Sequence, residues 1–220
     1  TSVRQRLERY HSPSIVDRIL RDISRKSKEE GHLMVQERDV TVLFADIVGF
    51  TPMSERMSPS RIALLLNEYF SEMTEAIFKY EGTLDKYIGD AIMAIFGAPN
   101  VMPDHPYRSV CTGLEMIERL QVINESRTPE EQFNIRIGIN TGRAVAGDIG
   151  SMKRMEYTVL GNTVNVASRI ESMACKPNQV VVGESTYQAV KDGFVCESIG
   201  PIRLKGITEE VNVYRIIREL

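Results

Sequence analysis

Thr41-Val-Leu-Phe-Ala-Asp-Ile-Val-Gly-Phe-Thr51 is the segment on which the predicted architecture depends. Residues 40–45 are apolar or β-branched, which predicts a buried strand. Asp46 ends this strand at the edge of the sheet, because a buried and unpaired carboxylate is costly. Gly49 permits a tight turn, and Thr51-Pro52 offers a helix N-cap followed by proline at the first helical position.

A strand, an acid, a tight turn and a helix N-terminus follow one another here. Backbone N–H groups at a helix N-terminus favour a bound anion, and the adjacent carboxylate of Asp46 favours a cation. An ordinary strand-to-helix connection with a surface aspartate gives the same pattern. The segment alone therefore leaves both interpretations open.

A second segment, Thr83 to Gly97, favours the functional interpretation. Two short apolar runs flank Gly89-Asp90, which is the signal for a two-residue hairpin turn. If this hairpin lies beside the first strand, Asp90 converges with Asp46. Two aspartates at neighbouring sheet edges beside a phosphate site suit a pair of Mg²⁺ ions on a nucleoside triphosphate.

Three blocks of sequence together resemble the signature blocks of class III nucleotidyl cyclases. They are Phe44 to Thr51, Lys86 to Asp90 and Gly161 to Arg169, and they occur in the order found in that family. The similarity extends from about Arg38 to the C-terminus. The resemblance implies an α+β fold with a ferredoxin-like βαββαβ core, a mixed and mainly antiparallel sheet, and C-terminal additions.

The rest of the chain alternates helical and strand patterns, which predicts a mixed sheet with helices on one face. Phe133 to Gly142 alternates apolar and polar residues and predicts a half-buried strand, with Thr141-Gly142 turning the chain into residues 143–149. Helical patterns cover residues 14–23, from Ser58-Pro59 to about 81, 105–124, and from Gly161 to about 173.

The first 37 residues differ in character from the remainder. Residues 14–23 have helical apolar spacing, and the charged segment from Arg25 to Gly31 interrupts it. We expect residues 1–37 to form a linker or signalling helix from an upstream regulatory domain, and residues 38–220 to form the catalytic domain. Because the chain starts at Thr1 without methionine, we expect a fragment of a longer protein.

Composition narrows the class of protein. The 220 residues carry 27 basic and 30 acidic side chains, a formal charge of −3, which is no electrostatic footprint for nucleic acid or an anionic membrane. No apolar run approaches the roughly 18 residues that span a bilayer. The three cysteines lack metal-site spacing and predict a reducing, cytoplasmic environment.

The resemblance assigns metal and phosphate contacts. It implies that Asp46, Asp90 and the carbonyl of Ile47 hold two Mg²⁺ ions per site, with Mn²⁺ as an alternative. These ions suit in-line attack of the ribose 3′-oxygen on the α-phosphate, with pyrophosphate leaving. The implied phosphate contacts are the N–H groups of Val48, Gly49, Phe50 and Thr51 and the side chains of Arg136 and Lys205.

Asn165 and Arg169 are spaced i, i+4, so on a helix they share one face. Without the resemblance, a solvated polar helix face is an alternative explanation of this spacing. In their family roles, Arg169 stabilises the charge that develops on the α-phosphate, and Asn165 orients the ribose.

Lys86 and Thr158 bear on the choice of purine. By resemblance, Lys86 occupies the position at which adenylate cyclases carry a lysine against the purine ring. Thr158 stands where many adenylate cyclases have aspartate and a bacterial subclass has threonine or serine. Both types accept a hydrogen bond from the adenine amino group, whereas guanylate cyclases usually carry glutamate and cysteine at these two positions. The pair favours ATP, although a hydroxyl can also donate to the guanine carbonyl.

The resemblance also implies a site shared between two catalytic domains. The metal carboxylates come from one chain, and the other chain supplies Lys86, Thr158, Asn165, Arg169 and Lys205. Because this chain carries both sets, we expect a homodimer with two equivalent sites. The Thr158 subclass resembles cyclases stimulated by bicarbonate, so bicarbonate activation is a further hypothesis.

Three alternatives stay open. A guanylate or mixed-specificity cyclase shares the same frame. A catalytically silent nucleotide-binding dimerisation module commonly lacks one of the site residues, all of which are present here. A cyclic-dinucleotide synthase needs a Gly-Gly-acidic-acidic-Phe hairpin, where this chain has Gly89-Asp90-Ala91.

Overall fold

The structure is a computed structural model that describes residues 3–8, 11–24, 35–151 and 153–220. The charged segment from Arg25 to Gly31 lies outside the described residues. The elements in chain order are α1 (Val3–Leu7), α2 (Pro13–Ser24), β1 (Gln36–Ile47), α3 (Phe50–Arg56), α4 (Pro59–Lys79), β2 (Thr83–Ile88), β3 (Ala91–Phe96), α5 (His105–Glu125), β4 (Ile135–Ser151), β5 (Arg154–Leu160), α6 (Asn162–Ala174), β6 (Gln179–Gly183), α7 (Glu184–Val190), β7 (Phe194–Arg203) and β8 (Glu210–Glu219).

The strands form one mixed sheet in the order β2-β3-β1-β4-β6-β8-β7, and β5 pairs with β4. The pairs are antiparallel except for β4 with β6. The succession β1-α4-β2-β3-α5-β4 is a ferredoxin-like βαββαβ unit, and β6, β8 and β7 extend the sheet beyond it. The predicted α+β fold class, with its mainly antiparallel sheet and C-terminal additions, is confirmed.

β1 is buried on both faces, which explains its nearly continuous apolar sequence. On one face, Leu43 belongs to the main core with Tyr69 of α4 and Met116 of α5. On the other face, Val42 belongs to a second core with Ala167 of α6. The prediction of helices on one face only is wrong, because α6 covers the face opposite α4 and α5.

β4 runs from Ile135 to Ser151 without a turn. The predicted turn at Thr141-Gly142 is wrong, because Thr141 pairs with Thr41 of β1 and Gly142 pairs with Val40. Gly142 serves a close contact instead, since a Cβ at this position would lie 2.8 Å from Oγ1 of Thr163 on α6. The absence of a side chain lets α6 approach the strand while the strand continues towards β5.

The start of α3 differs from the prediction. Its N-cap is Gly49, which has a left-handed φ of 69° and no side-chain cap hydrogen bond. Glycine adopts this conformation without steric cost, so the helix begins at Phe50, and the predicted N-cap at Thr51 is wrong. The predicted start of α4 at Ser58-Pro59 is confirmed, and the Ser58 side chain accepts a hydrogen bond from the N–H of Arg61 at 3.3 Å.

Helix α2 packs against the sheet. Its Val16 is fully buried, and Ser12, just before it, donates to the carbonyl of Leu84 on β2 at 2.8 Å. Arg18 forms an ion pair with Asp148 of β4. The domain boundary at residue 37 and the signalling role of this helix stay predictions. None of the helices in the described part of the chain is long and apolar enough to cross a membrane.

Candidate active site

Asp46 and Asp90 meet at one end of β1. Asp46 is the penultimate residue of β1, and Asp90 lies in the two-residue turn between β2 and β3, where the sequence predicted a hairpin. β3 pairs with β1 through Ala45 and Ile92, so the turn lies beside the end of β1. The two carboxyl groups lie close enough for the carboxyl of Asp46 to raise the pKa of Asp90. The structure thus brings together the two residues that the sequence indicated as metal ligands.

The environment of Asp90 disfavours its negative charge. Burial, and after it the carboxyl of Asp46, raise the pKa of Asp90 to about 6, while hydrogen bonds with the backbone of Asp90 itself and of Ile47 lower it. Like charges at this range are relieved by a cation between them, and carboxylate and carbonyl oxygens are the ligands that Mg²⁺ prefers. The donor set therefore fits a divalent ion. Among the described residues, no group of three or more His, Cys, Asp and Glu side chains forms a metal site.

Arg136 of β4 approaches the two aspartates from the neighbouring strand. Its Nη2 donates to Oδ2 of Asp46 at 2.9 Å, and its Nε lies 3.0 Å from Oε1 of Glu171 on α6. Arg136 stands directly opposite Asp46 in the ladder between β1 and β4. The resemblance assigns Arg136 to the phosphates, and the structure places it beside the predicted metal site, paired with two acids of its own chain.

Glu171 is a site residue that the sequence analysis missed. Its side chain is 9% exposed, and burial raises its pKa to about 7. A signal was present, because Glu171 continues the buried stripe of Ala167 and Ile170 on α6. A carboxyl on the buried face of a helix requires a charged partner, and Arg136 is that partner.

Residues 48–51 form the connection between β1 and α3. The N–H of Val48 donates to the carbonyl of Asn134 at 2.8 Å, so this group is not available to a phosphate. The N–H groups of Gly49, Phe50 and Thr51 lie at the start of α3, where a helix offers them no internal partner. The structure therefore reduces the predicted phosphate contacts of this turn from four N–H groups to three.

Asn165 and Arg169 are both exposed on α6, on the side opposite the buried Val166 and Ile170. They share a helix face, as their spacing predicts. The Arg169 guanidinium has no ion pair with the residues that the structure describes. Lys205 is exposed in the turn between β7 and β8, and its N–H lies 3.4 Å from Sδ of Met173, at the C-terminal end of the same helix.

Lys86 and Thr158 lie on β2 and β5, whose side chains contact each other. Lys86 Nζ donates to Oε2 of Glu156 at 3.1 Å, and Thr158 Oγ1 donates to Oδ2 of Asp85 at 2.5 Å. Thr158 is only 6% exposed. The sequence analysis missed Asp85, for which the signal is an acid directly before the lysine on an edge strand.

The site residues fall into two groups. We name Asp46, Asp90, Arg136 and Glu171 the acidic cluster. We name Lys86, Thr158, Asn165, Arg169 and Lys205 the cationic set. Within the described part of the chain, no hydrogen bond or ion pair joins a side chain of the acidic cluster to a side chain of the cationic set.

Known proteins are similar in sequence to this chain over most of its length. Residues 33–218 match the family model described as the adenylate and guanylate cyclase catalytic domain. Adenylate cyclase 1 of Rhizobium meliloti (strain 1021) is 32% identical over 203 residues, which are 90% of this chain and 30% of that protein. The chain therefore spans less than a third of this relative.

Solved structures share the fold. The adenylyl cyclase CyaB from P. aeruginosa has a TM-score of 0.80 and 35% sequence identity, and the match covers 84% of this chain and 97% of that one. The guanylate cyclase domain of RhGC from Catenaria anguillulae, in complex with GTP, has a TM-score of 0.76 and 32% identity, with coverage of 84% and 100%. Because the two are comparably similar to this chain, overall similarity does not choose between the purines.

Proposed function

The chain belongs to the family of adenylate and guanylate cyclase catalytic domains, and from this premise we propose that it converts ATP to 3′,5′-cyclic AMP and pyrophosphate. The observation that carries the proposal is the meeting of Asp46 and Asp90 beside the N-terminus of α3. Oxygen ligands for divalent ions next to free backbone N–H groups fit a nucleoside triphosphate.

The acidic cluster binds and orients the triphosphate. Mg²⁺, when bound, would supply charge that lowers the pKa of the ribose 3′-hydroxyl and neutralises the phosphates. Asp46, Asp90 and the Ile47 carbonyl would hold the ions, and the N–H groups of residues 49–51 donate to phosphate oxygens. Arg136 adds a fixed positive charge, since its guanidinium is already held by Asp46 and Glu171. Phosphoryl transfer needs positioning and charge stabilisation more than covalent chemistry, so this arrangement suits it.

The cationic set completes the site from a second chain. Arg169 stabilises the negative charge on the α-phosphate in the transition state, and Asn165 orients the ribose. Both side chains are exposed on α6 and, among the residues that the structure describes, form no hydrogen bond or ion pair with the acidic cluster. We therefore propose a homodimer in which the cationic set of each chain faces the acidic cluster of the other, giving two equivalent sites.

The choice of ATP rests on Lys86 and Thr158. A lysine donor suits the ring nitrogen of adenine, and a hydroxyl acceptor suits its amino group. A guanylate or mixed-specificity cyclase is the second candidate, and its support is the similarity to the GTP-bound guanylate cyclase domain from Catenaria anguillulae.

One assay tests both candidates. The purified chain is incubated with Mg²⁺ and equal concentrations of ATP and GTP, and the products are identified by mass spectrometry. We expect cyclic AMP and pyrophosphate as the main products, and none from the size-matched variant Asp90→Asn. Predominant cyclic GMP would establish the second candidate, and no cyclic nucleotide from a dimeric sample would refute cyclase activity.

The setting of the enzyme is part of the proposal. We place it in the cytoplasm as the output of an upstream regulatory domain, with α2 as the connecting helix. Activation by bicarbonate follows only from the type of residue at Thr158. A rate that stays constant across bicarbonate concentrations, at fixed pH and ionic strength, would reject this regulation.

A further inference from the structure

We propose that Asp85 is a positioning residue that fixes the hydrogen-bond polarity of Thr158, so that the purine site selects adenine over guanine. This inference rests on the proposed function, because Thr158 matters only if it contacts the purine. Neither the signature blocks nor the family match assigns a role in purine selection to Asp85.

A threonine hydroxyl alone does not distinguish the two purines. It carries one donor and two acceptor lone pairs, so it can accept from the amino group of adenine or donate to the carbonyl of guanine. Selectivity requires that one of these options is removed. A neighbouring group that always accepts the hydroxyl proton removes the second option.

Asp85 is in the position to do this. Thr158 Oγ1 donates to Oδ2 of Asp85 at 2.5 Å, a distance in the range of charge-assisted hydrogen bonds. An ionised carboxylate can only accept, so the Thr158 proton lies on the Asp85 side. The purine then meets only the lone pairs of Oγ1. Adenine can donate to them, whereas the guanine carbonyl would meet an oxygen without a proton.

The backbone of β2 is shaped for this contact. A register shift between Leu84 and Lys86 leaves Asp85 as the unpaired residue of a β-bulge. Successive residues of a regular strand point to opposite faces, and a bulge can re-aim one of them. Here the consecutive residues Asp85 and Lys86 both contact β5. Asp85 bonds with Thr158, and Lys86 bonds with Glu156. The bulge therefore places the carboxyl of Asp85 and the ammonium group of Lys86 on the same side of β2.

The Asp85 carboxyl costs the fold stability, which argues against a purely structural role. Its side chain is 1% exposed, and its Oδ1 has no hydrogen-bond partner among the described residues. The nearest charges are Lys86, with Nζ 4.0 Å from Oδ1, and Glu156. Burial raises the pKa of Asp85 to about 6, while the hydrogen bond from Thr158 and the charge of Lys86 lower it. At neutral pH the carboxylate form still predominates.

Equilibrium binding tests the inference without relying on catalysis. The probes are 3′-deoxy-ATP and 3′-deoxy-GTP, which lack the attacking hydroxyl, and the readout is the ratio of their Kd values on the full chain with Mg²⁺. We expect the wild-type chain to prefer the adenine nucleotide. In Asp85→Asn, the amide can donate to Thr158, and the Thr158 hydroxyl can then donate its own proton to guanine. This variant should lower the preference for adenine about tenfold.

Three further variants separate specificity from damage to the fold. Asp85→Leu, of similar volume and without hydrogen-bonding capacity, should lower the preference as Asp85→Asn does. In a Thr158→Val background, Asp85→Asn should change the ratio less than about twofold, because the coupling passes through the hydroxyl. Asp148→Asn, which removes a carboxylate paired with Arg18 near the same strands, should keep the wild-type ratio.

The outcomes are distinct for the two proposals. A wild-type chain that binds the adenine probe selectively but forms no cyclic AMP contradicts the proposed function and leaves the role of Asp85 standing. A folded Asp85→Asn variant that keeps the wild-type ratio overturns the role of Asp85 alone. An equal effect of Asp85→Asn with and without the Thr158 hydroxyl overturns it too, and so does a wild-type chain that prefers the guanine probe.

Discussion

The acidic cluster and the cationic set differ in how the fold holds them. Asp46 and Arg136 face each other in a β-ladder and form an ion pair at 2.9 Å. Glu171 of α6 forms a second ion pair with Arg136. Arg169, in contrast, stands exposed on α6 without an ion partner in the described part of the chain. The fold of one chain therefore fixes the arrangement of the acidic cluster by itself, whereas it leaves the Arg169 side chain exposed, where the proposed second chain would meet it.

The largest expected effect tests this division directly. Asp46→Ala should reduce turnover by more than about a thousandfold, because the site loses a metal ligand. Mixed with Arg169→Ala, it should recover about a quarter of the wild-type rate, since random pairing gives half heterodimers with one intact site each. The measurement is cyclic AMP formation by each variant alone and by the mixture.

A double variant with both substitutions on one chain is the control for mixing. Added to the wild-type chain, it dilutes the intact sites and should give no gain in rate. If the two single variants form heterodimers, shown by differently tagged chains, and the rate does not recover, the division of the site between two chains is wrong.

Arg169→Ala alone should show what the exposed arginine contributes. We expect kcat to fall by about two to three orders of magnitude, as after loss of one donor to a developing oxyanion, with a much smaller change in the binding of 3′-deoxy-ATP. Steady-state kinetics and equilibrium binding measure the two quantities. An equal loss in both would make Arg169 a ground-state binding residue.

Acidification should weaken the preference for adenine, because it protonates Asp85 beside Thr158. Burial raises the pKa of Asp85 to about 6, so lowering the pH from 7.5 to about 5 protonates this carboxyl in the folded protein. A protonated Asp85 can donate to Thr158, which frees the hydroxyl proton for guanine, and the binding preference for adenine should fall several-fold. Both probes share the metal and phosphate contacts, so titration of Asp90 cancels in the ratio. The ratio in Asp85→Asn should not depend on pH.

The smallest expected effect concerns stability. The folded-state pKa of Asp85 is raised from 3.8, so its contribution to stability falls as the pH rises through the window from about 4 to 6. Asp85→Asn should therefore raise the free energy of unfolding at pH 7 by about 1–3 kcal/mol and have little effect below pH 4. Urea denaturation at both pH values measures this, with Asp148→Asn as the control. A loss of stability at pH 7 would mean that the carboxylate stabilises the fold.

Several parts of the site were predictable because each depends on neighbours in sequence. The Gly89-Asp90 turn follows from two flanking apolar runs, and the shared face of Asn165 and Arg169 follows from helical spacing. The errors have the opposite origin. Thr141-Gly142 has residues typical of a turn, yet both residues pair with β1 and the strand continues through them. Val48 lies in a loop pattern, yet its N–H is taken by a carbonyl 86 residues further along the chain.

Local patterns in the sequence were sufficient for the order of the elements and the α+β class, because apolar periodicity and turn residues act over a few positions. The convergence of Asp46 and Asp90 also required the pairing of β3 with β1, which the sequence left as a condition. The pairing of Arg136 with Asp46, 90 residues apart, and of Thr158 with Asp85, 73 residues apart, arises only in the folded chain. Such contacts depend on strand register, on a bulge and on which side of the sheet α6 covers, and these are set by packing between distant segments.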